Sequence, residues 1–377
     1  MRVADLVQVM DRLAPPFLAE TWDNVGLLVG DANDEVRGPL FLTIDLTEEA
    51  LAEAELASAG AILAYHPPIF NPLKRVTGDD PKGNLILRAA RRGMAVFSPH
   101  TALDAALGGM ADWLAEGVGA GGDRRAIIPA SVPDDRQTHK IVVYVPTEPA
   151  DALERVRNAL ASAGAGHIGG YELCSFTLSG KGTFFAGADS NPRVGEKGRL
   201  ETVAEHRLEM VCPGAAIPIL IETLRAFHPY EEPAFDIFAL TQRSDRRIGA
   251  GRRVTLDQPA TPEEIAARVR DHLGLQRVRL AESASKGSKA TMVGVCPGAG
   301  AGLLDAAIAQ GCNVFVTGEM KHHDVLHAAA HGCSVILAGH TNTERGYLPR
   351  LASNMMEALP GLDARVSAAD RDHTRYV

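Results

Sequence analysis

Short apolar runs alternate with helical stretches at both ends of this 377-residue chain. In the N-terminal part the runs are LFLTIDL (40–46), AILAY (61–65) and MAVFS (94–98). In the C-terminal part they are TMVGVC (291–296), NVFVTGE (313–319) and SVILAGH (334–340). Strands separated by helices are typical of βαβ units, whose strands run parallel in one sheet. The alternation therefore predicts an α/β fold built from two α/β lobes.

The block between the lobes has a different order of elements. A polar, proline-containing segment at 123–140 precedes it, and the strand IVVYVP (141–146) opens it. A helix, a glycine-rich stretch, the strand LEMVCP, a second helix and the strand FDIFAL follow, which indicates a split β-α-β-β-α-β unit. The sequence predicts an inserted ferredoxin-like α+β domain at 138–242, between lobe 1 at 1–137 and lobe 2 at 243–377.

Composition and charge exclude several classes of function. The formal charge of −9 disfavours non-specific nucleic-acid binding, which normally needs a basic surface. No stretch approaches the roughly 20 apolar residues of a membrane span, and the N-terminus MRVADLVQVM lacks the apolar region of a secretory signal. Five scattered cysteines indicate neither a disulfide framework nor a thiolate zinc site. We expect a cytoplasmic protein with no membrane partner.

Side chains of the metal-ligating type follow four of the apolar runs. In open α/β sheets, ligands bind beyond the carboxyl ends of the strands, where loops from separate elements converge. The pattern therefore predicts one shared site. Its candidate residues are His66, His100, Asp104, Glu319, His340 and Glu344.

His66 has the firmest physical basis as a ligand. Pro67 and Pro68 supply no backbone N–H, so the strand ladder must stop there, and they hold His66 in an extended conformation. Tyr65 would face the other side of a regular strand, so both rings enter one pocket only if the strand twists at its end. A phenol with a pKa of about 10 is also a reluctant metal ligand.

Asp104 and His100 also have a purely structural interpretation. The stretch ALDAALGGMADWLAEGVG predicts a helix with Leu103, Leu107 and Met110 on one stripe. Asp104 near its start would then be a first-turn acid that complements the helix dipole. His100 lies four residues earlier, and a histidine of this kind alone is typical of a structural hydrogen bond.

His340 and Glu344 are four residues apart, just after a strand and a glycine. On a helical turn they would form a half-site for zinc, iron or manganese. The alternative is a capped helix start, with Thr341 or Asn342 as N-cap and Glu344 in the capping position. The sequence leaves both interpretations open.

Three further segments give weaker signals. EMKHHDVLHAAAHG is typical of a helix with an exposed polar face that carries His322, His323, His327 and His331. HPYEEPAFDIF indicates a loop before the last strand of the insert, with His228, Glu231 and Glu232. CPGAGAGL (296–303) indicates a tight strand-to-helix turn, because it lacks the Lys-Ser/Thr of a phosphate-binding P-loop.

Six motifs occur in the order found in a known family. They are ETWDNVGLLVGD (20–31), YHPPIFNPLKRVT (65–77), SPHTALDAALGGMADWLAEGVG (98–119), HPYEEPAFDIF, VTGEMKHHD and GHTNTERGYLP. Over nearly its whole length the chain resembles the NIF-three-like dinuclear metal-centre family, also called GTP cyclohydrolase 1 type 2.

The resemblance implies one or two divalent ions, zinc, iron or manganese, held between the lobes. The implied ligands are His66, Asp104, His340 and Glu344, with Glu344 as the bridge between the ions. The family's first histidine falls on Tyr65, as in a subgroup similar to the eukaryotic members, which also has Tyr-His-Pro-Pro there. His100, a water or the Tyr65 oxygen would complete the coordination sphere. The family resemblance further implies a PII- or CutA-like insert and a toroidal homohexamer.

Two classes of function follow. The first is a metal-dependent hydrolase of a nucleotide or similar small molecule, in which a dinuclear centre generates hydroxide and His100, Glu319 or His323 carries protons. GTP ring opening is the activity that the family name implies. The second is a non-catalytic metal-binding, metal-delivery or regulatory protein whose insert senses a small molecule, which the missing histidine favours.

Overall fold

The computed structural model describes residues 1–132, 135–192, 195–283, 288–372 and 374. The α-helices are α1 (Val3–Leu13), α2 (Glu48–Leu56), α3 (Pro81–Arg91), α4 (His100–Ala105), α5 (Met110–Glu116), α6 (Ala152–Ser162), α7 (Ile217–Phe227), α8 (Pro262–His272), α9 (Leu304–Ala309), α10 (His322–Ala330) and α11 (Leu348–Ala358). The strands are β1 (Gly26–Val29), β2 (Leu40–Thr43), β3 (Ala61–Ala64), β4 (Ala95–Ser98), β5 (Asp123–Arg125), β6 (Ile128–Ser131), β7 (His139–Pro146), β8 (Phe176–Phe185), β9 (Leu200–Cys212), β10 (Phe235–Ala239), β11 (Ser244–Ala250), β12 (Arg252–Ala260), β13 (Arg279–Ala281), β14 (Ala290–Ala299), β15 (Val314–Glu319), β16 (Ser334–Leu337) and β17 (Ala364–Val366).

The chain forms two compact units, one of residues 1–130 with 244–377 and one of residues 131–243. The first unit contains a sheet in the order β1-β4-β3-β2-β17. β2, β3 and β4 are parallel to one another, and α2 and α3 connect them. The side chains of Thr47 and Asp80 cap the N-termini of these helices by accepting backbone N–H groups. The alternation of strands and helices predicted for the N-terminal part is confirmed.

The second sheet of this unit has the order β13-β16-β15-β14-β12-β5. β14, β15 and β16 are parallel, as the C-terminal alternation predicted. β5 comes from the sequence before the insert, yet it pairs with β12. In the same way β17, near the end of the chain, pairs with β2 in the first sheet. Each sheet therefore contains a strand from the other half of the sequence.

Both sheets contribute to one hydrophobic core. The first sheet supplies Leu42 and Leu63, the second supplies Val293 and Val316, and α5 and α11 add further side chains such as Leu114. On the opposite face of the first sheet α2 and α3 pack in a separate cluster, and α9 and α10 pack in the same way on the second sheet. Covering both faces of a parallel sheet with helices explains why its strands are apolar runs without alternation.

The helix predicted through residues 102–119 is broken into α4 and α5. Gly108 has φ +71°, and a Cβ on Gly109 would lie 2.0 Å from the carbonyl oxygen of Leu103, so a continuous helix cannot pass here. Leu107 is 63% exposed rather than part of a buried stripe. Asp104 lies in the last turn of the short α4, so its interpretation as a first-turn acid is wrong.

Arg252 holds together the residues on both sides of the break between α4 and α5. Its side chain is 1% exposed, and its guanidinium donates to both carboxylate oxygens of Asp112 at 2.8 and 3.1 Å. It also donates to the carbonyl oxygens of Ala105 and Ala106, at 3.2 and 2.8 Å. Because these residues directly follow Asp104, Arg252 holds the segment that positions the Asp104 carboxylate.

The second unit, residues 131–243, contains the block predicted at 138–242. Its sheet has the order β10-β7-β9-β8 with every pairing antiparallel, and α6 and α7 lie between strands in the order β-α-β-β-α-β. This is a ferredoxin-like topology, and the predicted α+β fold is confirmed. β9 is longer than the predicted strand LEMVCP, and β8 lies in the glycine-rich stretch. The further likeness to PII or CutA proteins stays a prediction.

Among the described residues no helix has the length and apolar character needed to cross a lipid bilayer.

Candidate metal centre

The end of β3 delivers two rings to the same cavity. β3 ends at Ala64, and the backbone N–H groups of Tyr65 and His66 donate to Thr43 and Ile44 before the two prolines stop the pairing. The ring centroids of Tyr65 and His66 are 5.0 Å apart, and both side chains line one cavity. Both rings enter one pocket, the alternative that the sequence left open, because the regular strand ends before them.

Three donor side chains converge from distant parts of the chain. His66 Nε2 lies 3.5 Å from Glu344 Oε2, and His340 Nε2 lies 3.4 Å from Glu344 Oε1. The ligand atoms of all three lie within 4.8 Å of one another. Glu344 is 2% exposed, and its Oε2 accepts no hydrogen bond from any residue that the structure describes. A buried carboxylate oxygen in this position is a strong indication of a cation site.

The capped-helix interpretation of the His340 segment is wrong. Residues 341–343 form a short 3₁₀ turn, and α11 begins only at Leu348. Neither Thr341 nor Asn342 therefore caps an α-helix. Thr343 Oγ1 instead donates to the carbonyl oxygen of His340 at 2.6 Å, which fixes the loop that carries the histidine.

A carboxylate orients each of the two imidazoles. His66 Nδ1 donates to Asp45 Oδ1 at 2.9 Å, and His340 Nδ1 donates to Glu319 Oε1 at 2.9 Å. When a histidine donates from Nδ1, its Nε2 is left for a proton or a metal ion, and the Nε2 atoms of both rings face Glu344. Carboxylate partners of this kind are usual for metal-ligating histidines.

Gly298 provides the space that the donors occupy. A Cβ on this residue would lie 2.7 Å from Glu344 Oε1 and 2.9 Å from His340 Nε2. Gly298 has φ +60°, its N–H donates to Thr343 Oγ1, and its carbonyl oxygen accepts from Thr317 Oγ1. The segment CPGAGAGL is thus the predicted strand-to-helix turn, and its role here is to leave room beside the donors.

Asp104 lines the same cavity, but its carboxylate is hydrogen-bonded to Tyr65. The Tyr65 hydroxyl donates to Asp104 Oδ1 at 2.5 Å. Burial disfavours the Asp104 carboxylate and Glu344 adds a like charge, and although the hydrogen bond from Tyr65 opposes these effects, the pKa of Asp104 is raised to about 7. Burial and the same two carboxylates raise the pKa of Tyr65 well above its usual value. Tyr65 is therefore a neutral phenol at physiological pH.

The protonation of His66 is coupled to its partners. Burial lowers its pKa, but the contacts with Asp45 and Glu344 outweigh burial and raise the pKa to about 10. Without a metal ion His66 therefore carries a proton at neutral pH, and a metal bound at Nε2 would displace it.

His100 is held on the opposite wall of the site. Its Nδ1 donates to Asp23 Oδ1 at 2.8 Å, and its φ is +24°, an uncommon value for a residue with a Cβ. Asp23 also accepts from the backbone N–H and the hydroxyl of Thr101, at 3.1 and 2.5 Å. Burial alone would raise the pKa of Asp23, but these hydrogen bonds lower it to about 2. His100 is thus fixed by an ionised carboxylate.

A cavity of about 760 Å³ unites these groups. Its lining includes Trp22, Tyr65, His66, Phe70, Lys82, His100, Asp104, Cys296, Gly298, His340 and Glu344. Of the lining residues that the structure describes, Lys82 is the only lysine or arginine. The cavity therefore combines acidic and imidazole donors with an aromatic wall and one cation.

Other predicted residues lie outside this lining. Glu319 contacts His340 and lines a second cavity of about 320 Å³. His323 lies on α10, where its ring contacts that of His322. His228 lies in the inserted unit, where its Nε2 donates to the carbonyl oxygen of Tyr144 and its Nδ1 accepts from the backbone N–H of Tyr230, so its evident bonds are structural. The roles predicted for Glu319 and His323 in proton transfer stay predictions.

The sequence pointed to Glu319, which orients His340, but not to Asp45, Asp23 and Trp22. Asp45 follows β2 in the same way that His66 follows β3, so the strand-end pattern could have indicated it. Asp23 and Trp22 lie in the motif ETWDNVGLLVGD but precede a strand, and their spacing carries no signal of a site.

The donor set fits a divalent metal ion. Two imidazole nitrogens and a carboxylate are ligands that zinc, iron and manganese accept, and Asp104 offers a further carboxylate in the same cavity. His66, His340 and Glu344 would hold such an ion. The metal-ligand roles predicted for Asp104 and Tyr65 stay predictions.

Comparison with known proteins places these features in one family. The family model described as Duf34/NIF3 (NGG1p interacting factor 3) matches residues 1–374. A Mycobacterium tuberculosis protein named GTP cyclohydrolase 1 type 2 homolog is 37% identical over 323 residues, covering 86% of this chain and 83% of the relative. NIF3-like protein 1 of Bos taurus is 35% identical over 377 residues, covering 99% of this chain and 92% of the relative.

A solved structure shows the same fold. The crystal structure of the Staphylococcus aureus protein SA1388 is similar with a TM-score of 0.79 and 26% sequence identity. The match covers 100% of this chain and 99% of that chain.

Proposed function

The chain belongs to the Duf34/NIF3 family, as its motifs predicted, and from this premise we propose that it is a divalent-metal-dependent hydrolase of a nucleotide or a similar small molecule. Several relatives carry the name GTP cyclohydrolase 1 type 2 homolog, which agrees with a nucleotide as substrate. The size of the cavity, about 760 Å³, also accommodates a ligand of that class.

The buried carboxylate of Glu344 is the observation that carries the proposal. Its Oε2 accepts no hydrogen bond among the described residues and lies 3.5 Å from His66 Nε2, while His340 Nε2 lies 3.4 Å from Oε1. Without metal, protonated His66 faces this carboxylate only across 3.5 Å, and a bound cation would compensate the buried charge in place of that proton. A purely structural glutamate would instead have its oxygens satisfied by protein donors.

The residues of the chain have distinct roles in this proposal. A bound ion would lower the pKa of a water and attract anionic oxygens of the substrate. Asp45 and Glu319 keep the two imidazoles in the tautomer that presents Nε2. His100, fixed by Asp23, would transfer a proton to or from the substrate, and Lys82 would attract an anionic group.

A second candidate is a protein that stores or delivers metal, with a sensing insert. This candidate is favoured by Tyr65, whose hydroxyl donates to Asp104 at a position where a further metal ligand would otherwise lie. The three donors that converge are then suited to one ion. A cavity of about 340 Å³ in the inserted unit, lined by Glu205 and Tyr230, gives the insert a place for a small molecule.

Metal content and turnover test the proposal together. Protein purified without chelator should contain stoichiometric zinc, iron or manganese by elemental analysis, and it should hydrolyse at least one member of a nucleotide panel. Glu344→Gln should lose both properties, while Glu357→Gln, an exposed change on α11, should retain both.

The two candidates differ in their outcomes. Full metal content in the wild type with no turnover of any substrate supports metal delivery and contradicts the hydrolase. Absence of stoichiometric metal contradicts both. The homohexamer and the cytoplasmic location also stay proposals, and the molar mass in solution by light scattering tests the first.

A further inference from the structure

Trp22 is exposed at the cavity of the candidate metal centre. The chain has two tryptophans, of which Trp22 is 58% exposed and Trp113 is 6% exposed. Phe70 is also exposed and lies beside Trp22, with a distance of 5.9 Å between ring centroids and an angle of 51° between the rings. Both rings line the cavity. Large aromatic side chains left in water at a cavity are typical of a ligand-binding surface.

The two aromatic residues are held in place by the segments that carry them. Asp23, next to Trp22, has a fully buried side chain that bonds to Thr101 at the start of α4. Asn24 Nδ2 donates to the carbonyl oxygen of Ile69 at 2.5 Å, which connects the Trp22 segment directly to the Phe70 segment. The aromatic pair is therefore organised before any ligand binds, which lowers the entropic cost of binding.

A row of rings leads from Trp22 to the metal donors. The ring centroids of Trp22 and His100 are 6.0 Å apart, those of His100 and His66 are 5.2 Å apart, and those of His66 and His340 are 5.4 Å apart. A ligand that contacts Trp22 at one end can thus extend past His100 to the donors. This span suits a ring joined to a short polar tail.

We propose that Trp22, with Phe70, is the specificity-determining residue of this cavity: it stacks on a flat heteroaromatic ring and directs the anionic tail of the ligand toward His66, His340 and Glu344. The inference rests on the proposed hydrolase function and adds the orientation of the substrate. Nitrogen and carboxylate donors hold cations that bind anionic oxygens, whereas aromatic faces bind flat rings.

This orientation places the reacting bond in the tail and not in the ring. For a nucleoside monophosphate, the oxygen of water forms the new bond to phosphorus, and the bond between phosphorus and the ribose oxygen breaks. The ribose oxygen leaves with a proton that derives from the water, so the products are a nucleoside and inorganic phosphate.

Tryptophan fluorescence tests the contact without requiring turnover. Guanosine 5′-monophosphate should quench the emission of the metal-loaded protein, and ribose 5-phosphate, which lacks the ring, should leave it unchanged. Trp22→Phe should abolish the quenching because the remaining Trp113 is buried. Equal quenching in the wild type and in Trp22→Phe would overturn the inference.

Binding and kinetics of matched variants complete the test. Trp22→Ala should weaken binding of guanosine 5′-monophosphate and raise its KM by about fivefold or more, with little change in kcat, since stacking on an aromatic side chain contributes on the order of this amount. Trp22→Phe should restore most of the affinity. Tyr171→Ala, an exposed aromatic change in the inserted unit, should have no effect.

The failures of the two proposals are distinguishable. If neither phosphate ester is hydrolysed but guanosine 5′-monophosphate still quenches Trp22, the hydrolase proposal fails and the stacking contact stands. If both esters are hydrolysed with the same KM in the wild type and in Trp22→Ala, the stacking inference fails. A change of molar mass in Trp22→Ala would show that a second copy of the chain covers Trp22, which also overturns it.

Discussion

Replacing Gly298 with alanine is expected to abolish metal binding while leaving most of the fold intact. The new Cβ would lie 2.7 Å from Glu344 Oε1 and 2.9 Å from His340 Nε2, closer than Cβ atoms approach other atoms in proteins. Both obstructing atoms are ends of side chains, so these side chains can move without disrupting the backbone. The displacement therefore falls on two of the three converging donors.

The loss of stability and the loss of metal affinity in Gly298→Ala are expected to differ in size. Because Gly298 has φ +60°, a Cβ at this position strains the folded backbone and should lower the free energy of unfolding by about 1–2 kcal/mol. Removing a partner that merely orients a ligand weakens metal binding about 10- to 100-fold, so moving two ligands directly should weaken it by at least about 100-fold. Zinc competition with a chromogenic chelator measures the affinity, and urea unfolding measures the stability.

Substitutions at two other glycines separate the steric effect on the donors from the backbone strain. Gly302→Ala lies in the same cavity lining, and its Cβ would meet nothing within 4 Å, so zinc affinity and stability should both stay at wild-type values. Gly93→Ala combines φ +68° with open space, so it should lose stability alone. Zinc affinity in Gly298→Ala equal to that of Gly302→Ala would refute the assignment of these donors.

Three further predictions concern other groups. Arg252→Met leaves the Asp112 carboxylate without its buried partner, and urea unfolding should show a loss of about 3–5 kcal/mol. Asp45→Ala removes the acceptor for His66 Nδ1, and zinc affinity should fall about 10- to 100-fold in the chelator competition. Zinc affinity of the wild type should rise about tenfold per pH unit between about pH 7 and 9, because zinc must displace the proton of His66, whose pKa is about 10. Below about pH 7, where Asp104 is also protonated, the dependence should be steeper in the same titration.

Each of these predictions has an outcome that contradicts it. Arg247→Met removes an exposed ion pair with Asp245 and should change stability by less than about 0.5 kcal/mol, so an equal loss in both arginine variants would argue against the buried pair. Asp363→Ala, at an exposed position, should leave zinc affinity unchanged, and an equal decrease there would remove the role of Asp45. A zinc affinity that stays constant from pH 6 to 9 would contradict the protonated state of His66.

The elements of the sheets were predictable because each parallel strand is encoded locally. The run AILAY is apolar at every position, as a strand covered on both faces must be, and β3 lies within it. The strand ends also predicted the position of His66, His340 and Glu344 at one edge of the fold, because each follows the carboxyl end of a strand. The pattern of strands and helices thus indicated the three converging donors before any geometry was known.

The break between α4 and α5 was not predictable from periodicity. Leu103, Leu107 and Met110 repeat at helical spacing, but the close approach of the Gly109 backbone to Leu103 and the burial of Arg252 decide the local structure. Arg252 lies 140 residues from Asp112 in sequence. Contacts at that separation leave no periodic signal in the segments that they join.

Two of the carboxylates that orient the histidines, Asp45 and Asp23, were missed for a similar reason. Asp45 lies 21 residues from His66, and Asp23 lies 77 residues from His100. A single acidic residue after a strand or in a loop is common on protein surfaces, and only the fold shows which imidazole it meets. Strands of three residues, such as β5 and β17, are also too short for a pattern to predict which sheet they join.

The pairing of β17 with β2 has a consequence for the order of events during synthesis. The first sheet contains strands that are synthesised early, but the strand Ala364–Val366, which pairs with β2, is synthesised long after them. His340 and Glu344 are synthesised shortly before this strand, whereas His66 is synthesised long before them. The insert at 131–243 has a contiguous sheet and can fold while the rest is still being made. A nascent chain that stalls before His340 therefore presents His66 without the two side chains that converge on it in the folded protein.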